Sequence, residues 1–167
     1  MASQKKVTLE FEKAEVIFKN FSGRELKYNK EGDRNFNVEI EDEELAFQLY
    51  EDGWNVKPRD DDNRLIERIG ENEDVRYHLP IKINFDYYIP PKIIMVIGKT
   101  QTRLDEDMVH KLDEETIKYV DVIFTGRYRE KDAKGLCYTA YLQTMYAVVE
   151  EDRFASKYAN EDDDIPF

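Results

Sequence analysis

Between Lys19 and Phe36 the chain interleaves cations with rings: Lys19, Phe21, Arg24, Lys27, Tyr28, Lys30, Arg34 and Phe36. This is a set for non-covalent chemistry. The cations can neutralise phosphates, and each exposed ring can stack on a base for roughly 1–3 kcal/mol. Gly23 and Gly32 let the backbone come close to a phosphate. Three further patches have the same character: Trp54 with Lys57 and Arg59, Lys99 with Arg103, and Arg127 with Tyr128 and Arg129. Several fall at strand ends or loops, so a barrel can bring them together on one face. Structural readings compete residue by residue. Phe36 alternates with Val38 and Ile40 and reads as core. Trp54 follows a helix-ending glycine and is either a packing anchor or a platform. Arg34 can pair with the adjacent Asp33, and Lys19, Lys57, Arg59 and Lys99 can be solvated charges. Tyr28, among Lys27, Asn29 and Lys30, is hard to bury and reads as functional.

A second kind of chemistry lies in Asp162-Asp163-Asp164-Ile165-Pro166-Phe167. Three consecutive carboxylates cannot join a core. The Phe167 ring can fill an apolar socket, Pro166 limits the freedom lost on binding, and the terminal carboxylate can meet an Arg or Lys fork. The flanking acids steer towards a basic surface.

Strands must position the first set. Val7, Leu9 and Phe11 alternate, and then the phase shifts to Ala14, Val16 and Phe18, which places a bulge or bend near Lys13. A bent first strand shared between two sides is what a small closed barrel needs. Residues 20–33 read as a loop, and Phe36, Val38 and Ile40 as the second strand. Asp42 caps a short helix that buries Leu45 and Leu49 and ends at Gly53. Residues 60–74 read as a mobile charged excursion. Val75 to Phe85 alternates strictly, with Pro80 pointing to an edge or bulge. The run Ile93–Ile97 is a further strand. A helix capped by Asp105 follows, with Met108 and Leu112 four apart, then strands through Val120–Gly126 and Leu136–Val149. The expected fold is mainly β with one or two short helices, an OB-fold-like barrel of five to six strands over residues 1–152. A split β-sandwich would read similarly. Residues 153–167 form a disordered acidic tail.

Composition bounds the function. The chain has 167 residues, a net charge of −12 and one cysteine, Cys137, so it has no intrachain disulfide. His78, His110 and Cys137 cannot build a zinc ribbon, and no metal or cofactor is expected. The start lacks the apolar stretch of a signal peptide and no run spans a bilayer, so a cytoplasmic protein without membrane contact is expected. The acidic net charge opposes phosphate binding, but acids sit in blocks, and Lys92 to Arg103 holds three bases and no acid. No Gly-rich loop ends in Gly-Lys-Ser/Thr, and Ser22 and Ser156 lack the context of a nucleophile elbow. No enzyme activity is expected.

The acidic run closing in Ile-Pro-Phe resembles the C-terminal tip of bacterial-type single-stranded DNA-binding proteins. In the body, Asn20-Phe21-Ser22-Gly23, Tyr28-Asn29, Gly32-Asp33-Arg34-Asn35-Phe36, Asp52 to Arg59, Pro90-Pro91-Lys92-Ile93 and Leu136 to Asp152 resemble phage-encoded single-stranded DNA-binding proteins of the OB class. The long Gly/Gln/Pro-rich linker of the bacterial relatives is absent. The resemblance implies a body that holds single-stranded DNA and a tip that docks replication, recombination and repair proteins of phage or host. The candidate DNA-binding set is Lys19, Phe21, Arg24, Tyr28, Arg34, Trp54, Lys57, Arg59, Lys99, Arg103, Arg127 and Tyr128. The candidate docking set is Asp162 to Phe167. Two rivals stay open: an acidic decoy that occupies tip-binding pockets without binding DNA, and a metal-dependent nuclease. Oligomeric state is open too, a homo-oligomer among the options.

Overall fold

The computed structural model describes residues 7–26, 29–59, 75–133 and 135–151. Among them the order is β1 Val7–Ala14, β2 Val16–Asn20, β3 Arg34–Ile40, α1 Glu43–Glu51, β4 Lys57–Arg59, β5 Arg76–Ile83, β6 Lys92–Ile97, β7 Thr100–Leu104, α2 Lys111–Glu114, β8 Ile117–Tyr128 and β9 Tyr138–Val149.

The phase shift near Lys13 is where the architecture turns. Lys13 has a φ of 50°, and the register of β1 against β8 shifts between Phe11 and Ala14. The Lys13 N–H leaves the ladder and donates to Asp121 Oδ1 at 2.8 Å. After Glu15 the same stretch of chain continues as β2 and pairs with β3. The bonded path runs β1-β8-β9-β5-β3-β2, so it starts and ends on one bent segment. All its pairings are antiparallel except β5 with β9, where Ile81 faces Ala140 and Lys82 faces Tyr141. This is the expected mainly β fold, laid out as one open mixed sheet of nine strands among the described residues. It is elaborated by a β6–β7 hairpin that runs parallel to the second half of β9, and by β4 beside the start of β5.

Alternation decides what is inside. Phe36, Val38 and Ile40 of β3 pack with Leu79, Ile81 and Ile83 of β5, and with Val120, Val122 and Phe124 of β8. The other parity of each strand faces outward. Helix α1 begins as expected, with Asp42 Oδ1 accepting from the N–H groups of Glu44 and Leu45. It ends at Gly53, whose φ of +100° suits glycine, and where a Cβ would lie 2.1 Å from Cys137 Sγ.

The structure departs from the sequence expectations in four places. The buried face of α1 is Ala46 and Leu49, while Leu45 is exposed. The helix expected after Asp105 shrinks to α2, because Asp105 caps a turn through the N–H groups of Asp107 and Met108 and the helical hydrogen bonds start later. β4 and β7 were not expected: one is Lys-Pro-Arg, too short to show a period, and the other is a polar strand without apolar alternation. Pro80 does not mark an edge strand. β5 is flanked on both sides, and Pro80 falls where its partner changes from β4, ending at His78, to β9, starting at Ile81. A missing donor costs no ladder bond on that side. The expected excursion at 60–74 and the tail at 153–167 lie outside the described residues.

Candidate nucleic-acid interface

The turn from β5 to β6 carries Tyr87, Tyr88, Ile89 and Pro90 over the outer surface of β8 and β9. Together they line a cleft of about 760 Å³, with Thr125, Arg127 and Tyr128 from β8 and Tyr141, Leu142 and Gln143 from β9. Parity explains the β8 and β9 contribution. Phe124 and Gly126 point inward with Ala140 and Leu142, so Thr125, Arg127 and Tyr141 point out. Thr125 Oγ1 donates to Gln143 Oε1 across the two strands at 3.2 Å.

Arg127 sits at the centre of the cleft. Its guanidinium carbon lies 4.6 Å from the Tyr87 ring centroid and 5.1 Å from that of Tyr141. The two rings meet edge to face at 5.5 Å. Such cation–π contacts orient the guanidinium and leave its N–H edge for a phosphate or a base edge. Burial pushes the Tyr87 hydroxyl above the usual tyrosine range, so the phenol is neutral around Arg127 at physiological pH. The free stacking surfaces are next to this clamp: Tyr88 is 100% exposed, Ile89 79% and Tyr128 39%. Among the described residues no carboxylate lines the cleft. On the neighbouring strand Lys82 is exposed, with its Cα opposite Tyr141. The net acidity is concentrated elsewhere. A second cleft, between β1 and the start of α1, is lined by Glu10, Glu12, Glu39, Glu41 and Asp42, a surface that repels phosphate.

The patches expected from the sequence do not all converge on this face. Arg127 and Tyr128 are in the cleft. Arg34 does not line the cleft: it starts β3 opposite Ile83, with its guanidinium over Phe85 at 5.7 Å and Nη1 donating to Phe21 O at 2.8 Å. That bond ties the arginine to the β2–β3 loop. Phe21 itself is fully buried and stacks on Phe36 at 5.2 Å, so neither ring offers a face to a base. Trp54 is a packing anchor: it is 2% exposed, stacked on Tyr138 at 5.1 Å and edge-on to Phe124. The Lys19 ammonium donates to Leu112 O at 2.9 Å and to Glu115 O, closing the end of α2. Arg59 is 1% exposed, paired with Glu39 at 3.0 Å and 3.4 Å from His78 Nδ1. Arg24 is exposed on the β2–β3 loop, and its backbone is held by Asn20. Lys57 is half-buried on β4. Lys99 and Arg103 are exposed on the β6–β7 hairpin. Because β6 runs parallel to β9 past Val148, Lys99 lies at the far end of β9 from Tyr141. Tyr28 and the docking set Asp162 to Phe167 lie outside the described residues.

Sequence reasoning passed over Tyr87, Tyr88, Tyr141 and Lys82. A signal existed for the first two. Adjacent tyrosines in a turn that closes in Pro90-Pro91 have no strand parity to bury them. Among the described residues no group of three His, Cys, Asp or Glu side chains could hold a metal ion. No described helix is long and apolar enough to cross a membrane.

A search among curated proteins gives no match. A family model described as "Putative phage ssDNA-binding domain" matches residues 1–167, the whole of the chain, which therefore belongs to that phage ssDNA-binding family.

Proposed function

We propose that the chain binds single-stranded DNA through the Tyr88–Arg127–Tyr128 cleft. The observation that carries this reading is the fully exposed Tyr88 ring beside an arginine clamped between two tyrosines, in a cleft lined by no carboxylate among the described residues. Bases stack on Tyr88 and Tyr128, while Arg127 meets phosphate, with Lys82 as a further cation on the same side. Binding of this kind tolerates any sequence, because every base offers a π-face. The protein is then a non-catalytic strand-binding factor. Its acidic segment, with Ile165-Pro166-Phe167, supports a second role, the docking of replication, recombination or repair proteins in the host cytoplasm. Loss of those partners from a pull-down on deletion of residues 159–167 checks that role.

Titration of the full chain with oligo-dT at several salt concentrations tests the first role. Tyr88→Ala should lose roughly 1–3 kcal/mol, about 5- to 150-fold in affinity, with an unchanged salt slope. Arg127→Gln should flatten the log–log slope by about 0.7, the share of one phosphate contact. If the parent has no affinity for oligo-dT at low salt, the reading fails and the acidic decoy becomes the better account.

A further inference from the structure

Phe18 is held in a conformation that bulky residues avoid, yet its ring is not buried. It is 46% exposed, and its φ of 49° lies in the left-handed region that suits glycine. The cause is a bulge. β2 uses three steps from Ile17 to Asn20 where β3 uses two, from Asn37 to Asn35. The extra residue turns the Phe18 ring onto the outer face of the barrel, edge-on to His78 at 5.4 Å. Strain that no buried contact accounts for is a mark of a functional position.

What lies beside Phe18 gives the site its chemistry. His78 lies on the outer parity of β5 but is buried beneath the Phe18 ring and beside Arg59. Pro80 and Lys82 follow on the same parity, with Lys82 about 13 Å along the strand at 3.3 Å per residue. Lys82 is the Cα partner of Tyr141, one of the two rings that clamp Arg127. On β3, Asn37 lies opposite Pro80 and Asn35 opposite Lys82. Lys57, the Cα partner of His78, adds a cation at the Phe18 end. At the Phe18 end two carboxylates lie close by: Glu39, which Arg59 holds at 3.0 Å, and Glu15, which is hydrogen-bonded to Glu39. From Pro80 to Lys82 the strip is polar to cationic, with an open ring at one end and the Tyr88–Arg127 cleft at the other.

We infer that Phe18 is a second stacking platform for the same single strand, which leaves the Tyr88–Arg127 cleft and crosses the β3–β5 face over Lys82 and Pro80. This rests on the reading of that cleft as a single-stranded DNA site, and it adds a length requirement. At about 3.4 Å per stacked nucleotide, the roughly 13 Å from His78 to Lys82 alone corresponds to about four nucleotides, so the two platforms are at least that far apart. Short oligonucleotides fill one platform, and longer ones reach both.

Phe18→Gly tests this in the full chain, because it removes the ring while relieving the left-handed backbone. Oligo-dT of about four and about twelve nucleotides serve as probes, within the range of site sizes for such barrels. The glycine variant should bind the longer probe about fivefold or more weakly than the parent, with little change for the shorter one. Phe18→Tyr, which keeps the ring, should bind both like the parent, whereas Tyr88→Ala should weaken both. Parental binding of the longer probe by Phe18→Gly would overturn the inference and leave Phe18 as a cover over His78. Equal loss for both probes, together with a lower thermal midpoint, would overturn it too, as a structural defect. If the parent binds neither probe, the cleft reading falls first and this inference falls with it.

Discussion

The indole of Trp54 occupies the space that any side chain at position 126 would need. A Cβ on Gly126 would lie 2.4 Å from Trp54 Cη2 and 2.9 Å from Cζ2. Gly126 is the β8 residue before Arg127, so the contact that seats the tryptophan in the core also sets the strand that carries the arginine of the cleft. The same indole stacks on Tyr138, whose ring meets Tyr128 edge to face at 5.7 Å. Core and cleft thus share one column of rings.

Gly126→Ala should therefore destabilise the fold by roughly 1–3 kcal/mol through overpacking. Trp54→Ala should cost about 3–5 kcal/mol through the cavity it leaves. Urea denaturation of both variants checks this. If Trp54 were instead a stacking platform, its alanine variant would keep parental stability and lose affinity for oligo-dT.

Lys19 offers a second separation of structure from binding. Its ammonium caps backbone carbonyls at the end of α2, and the Asp113 carboxylate of the same helix accepts the Phe21 and Ser22 N–H groups at 2.8 Å. Lys19→Met should cost about 1–3 kcal/mol of stability, since it strands part-buried acceptors. The salt slope of DNA binding should not change. A slope reduced by about 0.7 would mean that Lys19 reaches a phosphate after all.

These contrasts show which parts of the molecule were legible in the sequence. Strict alternation from Val75 to Phe85 and the phase shift at Lys13 were enough for the mainly β fold and its bent first strand, because burial of one face enforces both. The site was harder to read. Interleaving of Lys, Arg and aromatic residues between 19 and 36 has the composition of a strand-binding surface, but composition does not distinguish a ring facing out from Phe21, which faces in. Nor could it show that Lys19 and Arg59 have backbone and carboxylate partners far away in sequence. Arg127 was recognisable as a cation, yet its clamp is made by Tyr87 and Tyr141, which come together only when the β5–β6 turn folds over β9. Phe18 was assigned by phase to the core side, and the bulge at 17–20 reverses it.

Acid should loosen the protein partly through His78. Burial, then the charges of Arg59 and Lys57, lower its pKa from 6.5 to about 4. The unfolded chain therefore binds a proton between pH 6.5 and about 4 that the folded state refuses. Stability is unaffected above pH 6.5 and falls through that window, by on the order of 3 kcal/mol in full. Glu15 works in the opposite direction. Its carboxyl is raised by a hydrogen bond with Glu39, by burial and by the charge of Glu39, so protonating it favours the folded state at the acid end. Denaturation of His78→Gln from pH 7 to 4.5 should show a flatter pH dependence than the parent. Parallel curves would mean that His78 takes up its proton equally well in the fold.

The acidic segment should compete with DNA for the cations of the cleft. Residues 159–167 hold four acids and no base, and they contribute a third of the net charge of −12. In the proposed mode of binding Arg127 and Lys82 meet phosphate as cations, and neighbouring carboxylates within a Debye length lower the gain from that encounter. Deleting residues 159–167 should leave oligo-dT affinity equal or higher at low salt. The advantage should shrink as ionic strength rises, since screening removes the competitor along with the attraction. Parallel titrations of the parent and the truncated chain at two salt concentrations measure both effects. Truncation that instead lowers affinity severalfold at every salt concentration would assign the segment a direct part in holding the strand, contrary to a cleft built from Tyr88, Arg127 and Tyr128.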